Sequence, residues 1–190
     1  MNIILVDTNL LVVQAWKEIF RGVADNITIL HGSIFDVECD AIVSPANSFG
    51  FMDGGIDLAI SEYFGWHIEE HLQKLIKSTP MGELLVGQAA LIETGDARIP
   101  TLVSAPTMRV PLEIQNTVNI YLAMKAILTV TKDSGIEMLA IPGLGTGCGQ
   151  VDPTSSARQM RRAFEELRVA RQYPKSWIEA QNQHYVITKL

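Results

Sequence analysis

The sequence predicts an α/β fold, a mostly parallel sheet covered by helices on both faces, and three observations support it. Short apolar runs of strand length alternate with longer segments of helical periodicity. Two of those runs lead straight into glycine loops that are followed by helices, the arrangement found at the carboxyl ends of parallel strands. At 190 residues and 47% hydrophobic composition the chain suits one domain with a proper core. No repeat, low-complexity stretch or linker divides it.

In order, "NIILV" reads as a strand and "NLLVVQAWKEIFRG" as a helix ending at Gly22. "ITILHG" and "CDAIVSPAN" follow as strands with a short connection. A helix is predicted from about Asp57 toward Lys77, where "STPMGELLVGQ" breaks the pattern. "AALIET" and "TLVSAPT" read as strands joined by a turn around Gly95 and Asp96. "QNTVNIYLAMKAILTVTKDSG" has apolar residues at helical spacing and stops at Gly135. "IEMLAIPGLG" is a strand entering the second glycine cluster. Asp152 and Pro153 have the form of an N-cap and a first-turn proline, opening the helix "TSSARQMRRAFEELRVA". "HYVITK" is the last strand or tail.

Composition excludes several classes. A net charge of −6 and a pI near 5.2 argue against tight nonspecific binding to duplex nucleic acid. A small anion remains acceptable, because backbone N–H groups hold phosphate without Lys or Arg. Cys39 and Cys148 follow no zinc spacing and point to two free thiols and a reducing cytoplasm. The opening "MNIILVDTNLLVV" has no basic n-region and is broken by Asp7, unlike a signal peptide. No stretch reaches the roughly 18 apolar residues of a membrane helix.

The first glycine loop is "PANSFGFMDGGID", residues 45–57, and the second is "IPGLGTGCGQVDP", residues 141–153. On neighbouring strands the two would face each other across one crevice and cradle a diphosphate. The simpler alternative is a pair of tight strand-to-helix turns, but Gly143, Gly145, Gly147 and Gly149 exceed what a turn needs. A P-loop requires Gly-Lys-Ser/Thr, which does not occur. The dinucleotide fingerprint fails because Cys148 stands where its third glycine belongs.

These two loops carry a resemblance. "HGSIFDVECDAIVSPANSFGFMDGGIDLAI" resembles the opening of a macro domain, the ADP-ribose-binding family, whose pattern is Gly-Asp-Ile, a strand ending in Asn-Ala-Ala-Asn, and a glycine run closed by Val-Asp. "IPGLGTGCGQVDP" is similar to the family's phosphate-embracing loop, with Thr146-Gly147 as its most recognisable pair. "SAPTMRVP", residues 104–111, resembles bacterial and phage-type members. The resemblance covers about residues 27–170. It implies a three-layer α/β/α domain with a mixed sheet, with the strand and helix before Asn26 added at the sheet edge and a C-terminal extension.

The resemblance also implies roles. Asn47 matches the Asn that binds the distal ribose hydroxyls, and Gly54 and Gly55 the run that contacts pyrophosphate and ribose. Asp57 stands ten residues after Asn47, the spacing used by hydrolytic members to position water. At a helix N-terminus it is expected to be ionised and to act as base or orienter at the anomeric carbon. The alternatives stay open: Asp57 as an ordinary N-cap and Asn47 as a turn residue. The implied ligand-binding set is Ser33, Ile34, Asp36, Ala46, Asn47, Phe49, Gly54, Gly55, Ile56, Gly143, Leu144, Gly145, Thr146, Gly147, Cys148 and Gly149, with no metal and no cofactor. Three positions depart from the pattern. Ser33 replaces the Asp that recognises the adenine amino group, with Asp36 close by. Pro45 replaces the first Asn of the double-Asn motif. Gly149 stands where many members have a Tyr over the distal ribose, which would leave that end more open.

Other features have plainer readings. His67 and His71 lie at i, i+4 without the H-E-x-x-H order and read as a solvated helix face. "RQMRRAFEELRVAR" reads as a salt-bridged solvent face. Phe49 and Phe51 either line the pocket or pack the loop. Arg109 is either a phosphate partner or simply exposed. "VDTNLL" resembles the opening of PIN-type nucleases, but that class leaves the glycine loops unexplained, and Asp7 fits better as a helix cap or strand end. The leading expectation is an enzyme that binds ADP-ribose and hydrolyses a bond at its distal ribose, releasing an acidic side chain, a nucleic acid, a 1″-phosphate or an O-acetyl group. The second is a non-catalytic reader. The partner is ADP-ribose or an ADP-ribosylated macromolecule, with no membrane and no tight sequence-specific nucleic-acid binding.

Overall fold

A computed structural model describes residues 1–23, 26–168 and 173–188. The strands are β1 (Asn2–Asp7), β2 (Ile27–His31), β3 (Ala41–Ser44), β4 (Ala90–Glu93), β5 (Thr101–Ser104) and β6 (Met138–Ile141). The helices are α1 (Leu10–Ile19), α2 (Gly55–Phe64), α3 (His67–Ser78), α4 (Asn119–Thr131), α5 (Pro153–Arg168) and α6 (Trp177–Thr188). One six-stranded sheet runs β2-β1-β6-β3-β5-β4, with only β4 antiparallel to its neighbour. It is the expected mixed sheet in a three-layer α/β fold.

Alternation along each strand divides the core in two. Ile3 and Leu5 of β1, Ala41 and Val43 of β3, and Leu139 and Ile141 of β6 pack with Trp16, Met124 and Phe164 of α1, α4 and α5. Ile4, Val6, Ile42, Leu102 and Ala140 face the other way, against Ile60, Ile68, Leu72 and Ile76 of α2 and α3. Strands buried on both faces read as continuous apolar runs, as these do.

Four expectations need correction. The N-terminal strand is not at the sheet edge: β1 pairs with β2 on one side and β6 on the other. Ile3, Ile4, Leu5 and Val6 are all buried, and an edge position would not cover them so fully. The helix expected over 57–77 is two helices, parted at Gly65, whose φ of 100° continues no helix. "HYVIT" is the end of α6 and not a strand; it buries only Ile187 and leaves Tyr185 and Val186 exposed, and so short an apolar run has no decisive period. Lys189 lies outside the described residues. β3 stops at Ser44 before Pro45, so Asn47 makes only an isolated bridge to Met108. Among the described residues no helix is long and apolar enough to cross a membrane.

Candidate active site

β3 and β6 are parallel neighbours, so the loops that follow them emerge at the same end of the sheet. They wall a cavity of about 710 Å³. Of the residues singled out from the sequence, Ser33, Ile34, Ala46, Asn47, Gly54, Gly55, Ile56, Asp57, Gly143, Gly145, Thr146, Gly147, Cys148 and Gly149 line it. Asp36, Phe49 and Leu144 do not. Asp36 is exposed on the 3₁₀ turn Ile34–Asp36, Phe49 lies under the Arg109 guanidinium at 5.0 Å, and Leu144 is fully buried in the core. Phe51 takes the place expected of Phe49.

The first loop is held from several sides. The Asn47 side-chain oxygen accepts from the amides of Phe49 (3.1 Å) and Phe51 (3.3 Å), and its NH₂ donates to the Phe51 carbonyl at 2.8 Å. Glu69 of α3 accepts from the Met52 amide at 2.6 Å, and Ser61 of α2 donates to the Met52 carbonyl at 3.1 Å. Glu83 and Arg109 pair bidentately, at 2.6 and 2.9 Å, beside Phe49. Arg109 is therefore spoken for and does not reach the cavity. Beyond this frame Gly54 caps α2 with no side chain, and the first amide bonded within the helix is that of Leu58, to the Gly54 carbonyl. The amides of Gly55 and Ile56 precede it in residues that line the cavity, and a Cβ on Gly54 or Gly55 would meet nothing within 4 Å. Amides left unbonded at a helix N-terminus have the chemistry to hold an anion.

The second loop crosses at the same level. Its carbonyls tie it down, with Val151 donating to Gly145 at 3.0 Å and Ile114 to Gly149 at 2.9 Å. Gly145 has φ 70° and a Cβ on it would run into Ile120, while a Cβ on Gly149 would lie 2.7 Å from the Gly145 carbonyl. Gly149 is thus demanded by the loop backbone, and its missing side chain does not open the cavity. Gly147 is different: open space surrounds its Cβ position.

Asp57, the third residue of α2, is only 8% exposed, yet it borders the cavity. Ser44, the last residue of β3, donates to its Oδ1 at 2.5 Å. Burial pushes the carboxyl up to about 6, and the Ser44 hydrogen bond opposes this only in part. The helix N-terminus therefore does not keep Asp57 in the ordinary carboxylate range.

Sequence reasoning missed a third wall, the turn from β1 into α1, where Asp7, Thr8 and Asn9 line the cavity. Asp7 Oδ2 accepts from the Gly143 amide at 2.9 Å and Oδ1 from the Asn9 amide at 2.7 Å, which ties this turn to the second glycine loop. Asn9, and not Asp7, caps α1, through the Leu11 amide. The signal was present, since "VDTN" is again a strand leading into a helix. Both thiols are free, Cys39 buried and Cys148 exposed.

Residues 43–160 match the sequence profile of the Macro domain. The chain belongs to the macro domain family. The macro domain at hand is 34% identical over 143 residues to an uncharacterized protein of Aquifex aeolicus, covering 75% of this chain and 81% of that one. It is 24% identical over 142 residues to the DNA ADP-ribosyl glycohydrolase of Mycobacterium tuberculosis, covering 74% of this chain but only 39% of that protein. Among solved structures, the macrodomain of M. tuberculosis DarG superposes with a TM-score of 0.63 at 22% identity, over 73% of this chain and 89% of that one. The Oceanobacillus iheyensis macrodomain with ADP gives 0.64 at 16% identity, over 84% and 90%.

Proposed function

We propose that the cavity binds ADP-ribose and that Asp57 drives hydrolysis at its distal ribose. The observation that carries this reading is a buried carboxyl, raised to about 6, beside free amides at the N-terminus of α2 and facing a second glycine loop. The diphosphate lies against the Gly55 and Ile56 amides and the open backbone at Gly147. Asp57 Oδ1 is occupied by Ser44, which leaves Oδ2 for a water. In its ionised form Asp57 takes a proton from that water as the water oxygen bonds to C1″. The bond from C1″ to the acceptor breaks, and the departing group takes up a proton from solvent. Asn47 acts by shaping the loop, its remaining amide hydrogen being free for a ribose hydroxyl. A pKa near the working pH suits a general base. Names of relatives support the ligand: one similar structure is Thermosipho africanus DarTG in complex with ADP-ribose.

A binding module without turnover is the second reading, favoured by Asn47, whose carboxamide is largely committed to the Phe49–Phe51 backbone. Calorimetry with ADP-ribose and AMP, paired with release of ADP-ribose from an ester-linked peptide, separates the two. Asp57→Ala should keep ADP-ribose affinity within about tenfold, ~1.4 kcal/mol, while losing most turnover. Wild type that binds without releasing product makes it a reader. Full turnover by Asp57→Ala removes Asp57 from the chemistry.

A further inference from the structure

Resting on the ADP-ribose reading, we propose that the acceptor presented to this cavity is a protein segment, apolar with flanking Lys or Arg, docking on the cavity rim, and that nucleic acid is disfavoured. The charge of the site argues first. Asp7, Asp53 and Asp57 line the cavity, and no Lys, Arg or His stands among its described lining residues. The nearby guanidinium of Arg109 is held bidentately by Glu83 and lies over Phe49. A nucleic-acid acceptor carries a phosphate on each flanking nucleotide and depends on cations to neutralise them. Here those phosphates would meet the exposed carboxylate of the lining residue Asp53 instead.

The rim is apolar as well as acidic. Phe51 lines the cavity and is 56% exposed. Val110 and Leu112 flank the lining residue Pro111, at 40% and 44% exposed, and Leu10 and Leu11 follow the lining residue Asn9 on the first turn of α1. Single exposed apolar residues mean little, but Phe51 is part of the cavity wall and the other four lie within two residues of lining residues in the chain. Apolar side chains on either side of a modified residue would cover it, and a flanking Lys or Arg would answer Asp53. The ADP-ribosyl group itself needs no cation, because backbone amides take its diphosphate. The specificity therefore differs from that named for the M. tuberculosis relative, whose acceptor is DNA.

The test uses the full chain and three probes: free ADP-ribose, and ADP-ribose fixed through a hydrolysis-resistant C1″ linkage to an apolar, Lys-flanked peptide or to a short single-stranded oligonucleotide. The peptide conjugate should bind about tenfold tighter than free ADP-ribose, and the oligonucleotide conjugate no tighter than free ADP-ribose even at low salt. The double variant Val110→Ser/Leu112→Ser, checked for an unchanged Tm, should bring the peptide conjugate to the level of free ADP-ribose. Its affinity for free ADP-ribose should stay within about twofold. An oligonucleotide conjugate that binds tighter than ADP-ribose, weakening steeply with salt, would overturn the proposal. So would a peptide conjugate no better than ADP-ribose, or one indifferent to the double variant. If free ADP-ribose does not bind at all, the ligand reading itself fails and this proposal goes with it.

Discussion

At Asp57 two influences oppose each other. The N-terminus of α2 favours a negative charge there, typically by 0.3–1 kcal/mol, but removal from water costs more, and the carboxyl rises to about 6. A folded-state pKa above the ordinary 3.8 means that the folded protein binds this proton more tightly than the unfolded chain does. The stability it contributes is complete below about pH 4 and is lost as pH rises through 6. Asp57→Asn should therefore be more stable than wild type at pH 7.5, by up to about 3 kcal/mol, and nearly equal to it at pH 4; urea unfolding at both pH values checks this. The same group sets a second expectation. Single-turnover release should climb with pH through an apparent pKa near 6, and a flat profile from pH 5 to 8 would take Asp57 out of the rate. Its place at the cavity was legible through the family resemblance, which picks it out ten residues after Asn47. Its ionisation was not, because burial and the Ser44 contact depend on how β3 and α2 pack.

The glycine loops show what local sequence can and cannot carry. Strand, glycine run and helix are contiguous, so both loops were legible, as were Asp152 and Pro153 at the start of α5, where Asp152 accepts from the Ser155 amide at 2.9 Å. Individual glycines were not distinguishable. Gly145→Ala forces a Cβ against Ile120 Cδ1 at φ 70° and should cost about 2 kcal/mol in thermal or urea unfolding. Gly147→Ala meets open space and should change stability by less than about 0.5 kcal/mol, yet weaken ADP-ribose binding by narrowing the diphosphate wall. Equal stability losses from both would mean that the loop is packed differently. The exclusion of Phe49 from the cavity was not legible either, since it follows from Glu83 and Arg109, partners 26 residues apart.

Across the whole molecule, sheet order is the part that pattern could not supply. Alternating strands and helices indicate a parallel sheet, but not that the first strand lies inside it between β2 and β6. β1 and α1 are therefore core and not an appendage: Ile3, Leu5, Val12, Val13, Trp16 and Phe20 are buried. Loss of a single such side chain typically costs 2–5 kcal/mol against a total stability of about 5–15 kcal/mol. A chain beginning at Ile27 should accordingly fail to fold, seen as lost thermal cooperativity and aggregation on size exclusion; a cooperative, soluble product would return β1 to the status of an addition. The same strand brings Asp7 to Gly143 and completes the third wall of the cavity. A crystal structure of the protein with ADP-ribose would show the diphosphate and the distal ribose directly. The diphosphate should lie between Gly55–Ile56 and Gly147, with C1″ one water away from Asp57. A distal ribose turned toward Ser33, or ADP-ribose bound outside this cavity, would contradict this placement.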